Sequence, residues 1–254
     1  MNEDLTAPKK DGLHRLLVSD HKNPELGYEG SHIQKINGYY YIFLIHSLRD
    51  RWMRTEACFY SDSLEGEFTG GDVLCDDRGY CGQGVAQGGI VDTPDGKWYA
   101  MLFQDSGAIG RIPILLPVTW KDHFPFFGQN GHVPEEIEVH STRPGYIYQP
   151  LVGSDDFCNG LLPRWQFNHD PDPRYYHLDA LQGTYTITTR EVCTELTQAV
   201  NTLTQRMSYP SCAAEVTVDA SALKEGDVAG LCALQSCYAA VGITKHHGKY
   251  EVLM

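Results

Sequence analysis

Residues 31–46, SHIQKINGYYYIFLIH, decide the fold class. Two apolar, β-prone runs flank the dipeptide Asn37-Gly38, which is the strongest short-range signal for a two-residue β-hairpin. A second hairpin follows at residues 89–104, GIVDTPDGKWYAMLFQ, with an Asp-Gly turn. Short apolar runs interrupted by such turns indicate strands rather than helices. The sequence therefore predicts an all-β protein.

The two hairpins form an internal repeat with an offset of 58 residues. The matched pairs are Glu29 and Gln87, Gly30 and Gly88, Gly38 and Gly96, Tyr41 and Tyr99, and Leu44 and Leu102. Each hairpin leads into a third strand that opens at an arginine, Arg54–Ser61 or Arg111–Val118, and then into an aromatic stretch. Repeated four-stranded sheets are typical of β-propeller blades. Because a propeller needs about four blades to close, two blades predict a partial propeller.

The composition changes near residue 150, where a loop-like stretch with Asp-Pro dipeptides begins. We therefore predict two domains, a propeller part at 1–150 and a β-sandwich of jelly-roll type at 151–254. The strands predicted for the sandwich are 184–189, 213–218, 228–234, 238–244 and 249–254. Because the chain ends inside the last of them, we expect the sandwich to be incomplete.

The net charge, the lack of targeting signals and the cysteine spacing limit the possible binding partners and location of the protein. The 20 basic and 33 acidic residues give a formal net charge of 20 − 33 = -13, which disfavours nucleic acid and anionic membranes as partners. No run is long enough for a membrane span and no signal peptide is evident, which predicts a cytoplasmic protein. The eight cysteines form no C-x-x-C pair, so free thiols are expected rather than a zinc site.

Candidate site residues lie where the hairpins begin. The first strand of a propeller blade lines the axial cavity, so Glu29 and Gln87 are expected at equivalent places facing one hollow. A carboxylic acid there is suited to proton transfer, whereas a surface glutamate in a turn is the alternative. Arg111 follows a glycine-rich stretch and can present its guanidinium to sugar hydroxyls, or it forms a surface ion pair. Asp105 is a weaker candidate for the same pocket.

The segment at 28–47, YEGSHIQKINGYYYIFLIHS, resembles the general-acid blade of glycoside hydrolase family 43. The segment at 87–120 is similar to the next blade of that family. Further along, RWQFNHDPDPRYYHLD, NTLTQR and LKEGDVAGL resemble the concanavalin A-like β-sandwich that follows the propeller in the family's β-xylosidases. The resemblance covers nearly the whole chain.

This resemblance implies a five-bladed propeller enzyme that hydrolyses xylosides or arabinosides with inversion. Glu29 matches the family's general acid, and Arg111 matches the arginine that approaches the sugar. Gln87 stands where many members carry an axial histidine, so neither a metal nor another cofactor is expected here. The family's catalytic base and its second Asp lie in upstream blades, and Asp4, Asp11 and Asp20 are not assigned to either role.

An inverting glycosidase needs two carboxyl groups about 6.5–9.5 Å apart, of which Glu29 supplies one. We therefore interpret the chain as a fragment of a glycoside hydrolase in which Glu29 is catalytic and Arg111 and Gln87 bind the terminal sugar. The predicted partner is a xylo- or arabino-oligosaccharide, and homo-oligomer formation stays open. The alternative is a noncatalytic carbohydrate-binding fragment.

Overall fold

The computed structural model describes residues 1–208, 211–235 and 237–254. Strands dominate it, and the only helical segments among the described residues are two 3-10 turns, Gly107–Ile109 and Leu196–Gln198. The prediction of an all-β protein is confirmed. In the described part of the chain, no helix has the length and apolar character needed to cross a membrane.

The chain divides into two compact units, Met1–Ser141 and Thr142–Met254. Each unit contains its own sheets. The predicted domain limits, 1–150 and 151–254, stay a prediction.

The first sheet of the N-terminal unit is an antiparallel meander in the order β1-β2-β3-β4. Its strands are β1 (Glu29–Ile36), β2 (Tyr39–Ser47), β3 (Arg54–Ser61) and β4 (Thr69–Leu74). Between β1 and β2, Asn37 and Gly38 have φ values of 50° and 90°. A type I′ turn requires positive φ at both positions, which explains why this dipeptide closes the hairpin.

The second sheet repeats this arrangement in the order β5-β6-β7-β8. Its strands are β5 (Ala86–Asp92), β6 (Trp98–Asp105), β7 (Arg111–Lys121) and β8 (Phe124–Phe127). Two consecutive four-stranded meanders confirm the prediction of two propeller blades. We call them the first blade and the second blade.

The repeat is offset by different amounts in the two strands of each hairpin. Glu29 pairs with Ile45 in the first blade, and Ala86 pairs with Phe103 in the second. The second strands are therefore 103 − 45 = 58 residues apart, but the first strands are only 86 − 29 = 57 apart. The expected equivalence of Glu29 and Gln87 is wrong by one residue, because three residues lie between Thr93 and Lys97, which close the second turn, but only two lie between Ile36 and Tyr39 in the first.

Gly30 and Gln87 are the residues that occupy equivalent places. Each follows the first paired residue of its strand, and each lies in a bulge where the pairing register shifts. Their φ values are 59° and 64°, in the left-handed region that favours glycine. Gln87 is thus a non-glycine residue held in an uncommon backbone conformation at a strand start, which is typical of functional positions.

The two blades pack face to face over an apolar core, and we call the contact between them the blade interface. Phe43 and Phe127 stack with ring centroids 6.0 Å apart, and Tyr41 meets Trp120 edge-on at 5.3 Å. The buried members are Tyr41, Phe43, Cys58, Leu74, Val85, Ile90, Ala100, Leu102, Leu116, Val118 and Phe127. This interior supplies the apolar burial that stabilises the blade pair.

The blade interface changes from apolar to polar along β3. Alternate residues of a strand share one face, so Tyr60, Cys58, Glu56 and Arg54 all point toward the second blade. Tyr60 and Cys58 belong to the apolar core, whereas Glu56 and Arg54 bond to polar groups of the second blade. The polar end of the interface is the end at which β1 and β5 begin.

The opposite face of the first blade is covered by the segment that precedes it. Leu17, Val18 and Tyr28 pack against buried Ile42 and Leu44. The segment is also held by polar contacts, because the Asn23 side-chain amide donates to the Ser47 carbonyl at 2.8 Å.

The C-terminal unit is built from short strands. Its elements are β9 (Gln166–Phe167), β10 (Tyr176–Asp179), β11 (Thr184–Ile187), β12 (Leu203–Thr204), β13 (Val228–Leu234), β14 (Tyr238–His246) and β15 (Lys249–Leu253). They form two ribbons, β10-β11 and β12-β9, and a three-stranded sheet β13-β14-β15. Aromatic rings pack between the ribbons, with Phe157 near Trp165 and Tyr185 at 5.7 and 6.0 Å.

One predicted strand of this unit is wrong. Residues 213–218 have the alternating pattern AAEVTV, but the structure shows no strand there and the segment is exposed apart from its last residue. Alternation indicates a strand only where a neighbouring strand is available to pair, and none of the described strands takes this segment as a partner. The predicted strands near 184, 228, 238 and 249 are confirmed.

Candidate active site

Glu29 begins the first strand of the first blade. Its side chain is exposed, and its carboxylate makes no hydrogen bond or ion pair with any other residue that the structure describes. The backbone register shifts immediately after it, between Glu29 and His32. An unpaired carboxyl at a strand start is accessible to a substrate and can exchange a proton with it.

Gln87 lies directly against the residue that follows Glu29. A Cβ placed on Gly30 would come within 2.6 Å of the Gln87 Cδ atom and still closer to its amide nitrogen. Only glycine therefore fits at position 30 while the Gln87 side chain keeps its place. The structure thus places the Gln87 side chain against Gly30, the residue next to Glu29, although the backbone positions of Glu29 and Gln87 are not equivalent.

A buried glutamate of β3, Glu56, is hydrogen-bonded to the backbone of Gln87. Glu56 has no exposed surface, and its Oε2 atom accepts a hydrogen bond from the Gln87 backbone N–H at 2.6 Å. Its Oε1 atom is also buried and has no partner among the described residues. Burial raises the pKa of Glu56 well above its usual value, and the Gln87 N–H opposes this only in part. Burial therefore favours the protonated form of Glu56.

Arg111 belongs to a second polar group at the same end of the interface. Its Nε donates to Asp105 Oδ1 at 3.2 Å, and Arg54 of the first blade donates to Asp105 Oδ2. The Arg111 and Arg54 guanidinium carbons lie 4.5 and 5.1 Å from the centroid of the Phe103 ring. Two guanidinium groups thus share one carboxylate and one aromatic ring.

The two arginine side chains differ in their exposure to solvent and therefore in their roles. The Arg54 side chain is 6% exposed and that of Arg111 is 64% exposed. Arg54 therefore bridges the two blades, while Arg111 presents most of its guanidinium to solvent. With Asp105 between them the group carries one net positive charge, and the exposed fork suits hydrogen bonds to hydroxyl groups.

The two polar groups are connected through β3 and β6. Glu56 and Arg54 are two residues apart on one face of β3, and Ala86, the residue before Gln87, pairs with Phe103. The three predicted residues Glu29, Gln87 and Arg111 thus belong to one end of the blade interface.

Sequence reasoning missed Glu56 and Arg54 as part of this site. Arg54 was recognised only as the residue that opens a strand. The available signal was the alternation in RTEACFYS, where two charged residues share a face with Cys58 and Tyr60. A charged residue on a face that is otherwise apolar calls for a polar partner.

Asp20 is held in a separate polar group. Its carboxylate accepts from Asn23 at 2.8 Å and from Arg49 Nε at 3.0 Å. Burial raises its pKa, but these hydrogen bonds outweigh burial and lower it overall. His46 lies next to it and contacts Asp72 at 2.9 Å. Asp20 is therefore a structural carboxylate, and it stays unassigned as a base.

Two clefts lie at the turn end of the hairpins, away from Glu29. One, of about 520 Å³, is lined by residues of β1 and β5 and their turns. The other, of about 350 Å³, is lined by Trp98, Tyr99 and Trp120 among others. Among the described residues, no group of three or more His, Cys, Asp or Glu side chains is placed to hold a metal ion.

The sequence of the chain is similar to those of known β-xylosidases. Residues 154–254 match the family model of the β-xylosidase C-terminal concanavalin A-like domain. The chain is 28% identical over 225 residues to a putative β-xylosidase of Xylanibacter ruminicola, covering 85% of this chain and 41% of that protein.

Solved structures are similar over both units. A bifunctional GH43-CE protein of Bacteroides eggerthii is 39% identical with a TM-score of 0.82, over 99% of this chain and 33% of that one. A GH43 glycoside hydrolase engineered to display both endo-xylanase and exo-arabinofuranosidase activity is 26% identical with a TM-score of 0.70, over 89% of this chain and 44% of that one.

Propeller blades followed by a concanavalin A-like domain define the all-β class of protein to which this chain belongs. The chain is a member of glycoside hydrolase family 43. The resemblance inferred from the sequence is thereby confirmed. The chain spans less than half the length of each of these three relatives.

Proposed function

We propose that this chain contributes the general-acid part of a glycoside hydrolase that removes terminal xylosyl or arabinosyl residues from plant-cell-wall oligosaccharides. In this proposal Glu29 protonates the leaving glycosidic oxygen, and the reaction inverts the anomeric configuration. The supporting observation is the exposed, unpaired carboxyl of Glu29 directly beside the Gly30–Gln87 contact. The β-xylosidase and arabinofuranosidase names of the relatives support this substrate class.

Gln87 and Arg111 hold the terminal sugar in this proposal. The amide of Gln87 both donates and accepts hydrogen bonds, and the guanidinium of Arg111 donates up to five. Asp105 restrains Arg111 from one side, which leaves its other N–H groups for the sugar hydroxyls. Neutral hydroxyl-rich substrates fit this pair better than anionic ones, because the protein is strongly acidic overall.

The direct test is hydrolysis of xylobiose, an aryl β-xyloside and an aryl α-arabinofuranoside by this chain joined to the upstream blades that carry the catalytic base, with and without Glu29→Gln. Glutamine keeps the shape of the side chain but cannot donate the carboxylic proton. We expect a loss of about 10²- to 10⁴-fold for xylobiose. Glu136→Gln, another exposed glutamate of the same unit, is the matched control and keeps wild-type rates.

Two results would count against the proposal. Wild-type turnover in Glu29→Gln would remove Glu29 from the chemistry. A first-formed sugar that retains its anomeric configuration, followed by NMR, would contradict the inverting mechanism.

Carbohydrate binding without turnover is the second candidate. Two other carboxyl groups lie near this site, and their surroundings favour this candidate. Glu56 is fully buried, and Asp105 is held by two arginines. Neither is free to activate a water molecule. Saccharide binding by calorimetry without any hydrolysis, lost in Arg111→Ala, would favour this candidate.

A further inference from the structure

Glu56, a buried polar residue of the blade interface, has no catalytic or sugar-binding role in the function proposed so far. Glu56 is fully buried, lies on the strand face that meets the second blade, and uses one carboxyl oxygen to bind a backbone N–H of that blade. Burying an acid is costly unless its oxygens are hydrogen-bonded, and the second carboxyl oxygen of Glu56 has no partner among the described residues.

The backbone group that Glu56 binds belongs to Gln87, which has a φ of 64°. A glutamine in this region is less stable than glycine by an amount that the surrounding contacts must offset. No strand partner takes the Gln87 N–H, because the β5–β6 pairing is interrupted between Ala86 and Gly89. The Gln87 N–H instead donates to Glu56 Oε2 at 2.6 Å, which replaces the missing hydrogen bond between strands.

The position of Gln87 then determines the space around Gly30. The Gln87 side chain fills the place that a Cβ would occupy at position 30. Gly30 lies in the first-blade bulge and is bonded covalently to Glu29. A shift of Gln87 is therefore transmitted to Glu29 through one van der Waals contact and one peptide unit.

We propose that Glu56 is a positioning residue for this site: by binding the Gln87 backbone it holds the second-blade bulge against Gly30 and so fixes where Glu29 presents its carboxyl. The catalytic part of this inference rests on the proposed function of Glu29. The structural part, from Glu56 to Glu29, stands without it.

The variants Glu56→Gln and Glu56→Met separate the hydrogen bond from the volume of the side chain. Both side chains are close to glutamate in size, but only glutamine retains an oxygen that accepts the Gln87 N–H. Cys58→Ala, on the same face two residues along β3, is the control for general disturbance of the strand.

The first measurement needs no activity. Amide hydrogen exchange and backbone NMR shifts are recorded for Gln87, Gly30 and Glu29. In Glu56→Met we expect exchange at Gln87 to be about 10-fold faster, the factor that corresponds to one lost hydrogen bond, with shift changes that reach Glu29. Glu56→Gln and Cys58→Ala leave the Gly30 and Glu29 signals in place. Unchanged Glu29 signals in Glu56→Met would overturn the inference.

The second measurement compares leaving groups. A misplaced general acid slows poor leaving groups much more than activated aryl groups, because the latter need little protonation. In Glu56→Met we expect a loss of roughly 10- to 100-fold for xylobiose and about 3-fold or less for a nitrophenyl xyloside. Equal losses for both substrates would indicate a structural role only and overturn the catalytic part. Wild-type rates for both substrates in Glu29→Gln would refute the proposed function, while the exchange data would still decide the positioning role.

Discussion

Replacing Gly30 by alanine is the most direct perturbation of the contact between the two blades. Gly30 has a φ of 59°, and an added methyl group would meet the Gln87 side chain, which has to move aside to admit it. Two costs are expected. An L-residue in the left-handed region costs about 1–2 kcal/mol, and displacing the flexible end of the Gln87 side chain costs roughly 1 kcal/mol more, at the lower end of the range for overpacking.

Gly38→Ala is the matched control for the first of these costs. Gly38 also has a positive φ, 90°, but nothing lies within 4 Å of a Cβ added there. We therefore expect Gly38→Ala to lower the free energy of unfolding by the backbone cost alone. The difference between the two variants measures the contact between position 30 and Gln87.

A double-mutant cycle with Gln87→Ala completes the assay. Denaturant unfolding, followed by tryptophan fluorescence, gives the free energy of the wild type, both single variants and the double variant. In the Gln87→Ala background the steric cost disappears, so Gly30→Ala should cost about as much as Gly38→Ala. Equal losses in Gly30→Ala and Gly38→Ala, with no coupling to Gln87, would refute the argument.

Three further outcomes follow from other contacts. Asp105→Asn should raise KM for saccharides by roughly 10-fold and change kcat little, because Arg111 loses its charged partner. Burial lowers the pKa of His46, but its hydrogen bond with Asp72 and the nearby carboxylates raise it overall. The protonated His46 side chain therefore stabilises the fold fully below about pH 6.5, and this stabilisation is lost as the pH rises through the raised pKa of His46. The difference in unfolding free energy between wild type and His46→Asn should shrink as the pH becomes alkaline. Phe43→Ala, at a fully buried ring, should lower the free energy of unfolding by about 3–5 kcal/mol in denaturant titrations.

Two of these outcomes have a simple control variant. Asp95→Asn removes an exposed carboxylate in the second hairpin turn and should leave KM unchanged. Phe126→Ala removes a ring that is 49% exposed and should cost about 1 kcal/mol or less. A pH-independent difference between wild type and His46→Asn would contradict the role given to the His46 charge.

The blades were predictable because their signals are local. The Asn37-Gly38 dipeptide specifies its turn through backbone geometry, and the apolar run that follows has the length of one buried strand. The same local reasoning failed at residues 213–218, where the pattern was alternating but no partner strand was available.

The sequence supplied candidate residues for the site but not the buried residues that contact them. Glu29, Gln87 and Arg111 were recognisable from their places relative to the hairpins and from family resemblance. Glu56 and Arg54 were not, because their burial depends on the second blade, whose contribution cannot be read from the sequence of β3.

By itself, the sequence determined the all-β class, both hairpins and the acidic residue at the start of the first blade, since turn chemistry and strand periodicity act over a few residues. Only the tertiary structure decided that Gly30, rather than Glu29, is the counterpart of Gln87, and that a buried Glu56 holds the two bulges together. The physical reason is that register and burial are set by neighbouring strands. One extra loop residue shifts a strand by one position, and the pKa of a carboxyl rises when another sheet excludes water from it.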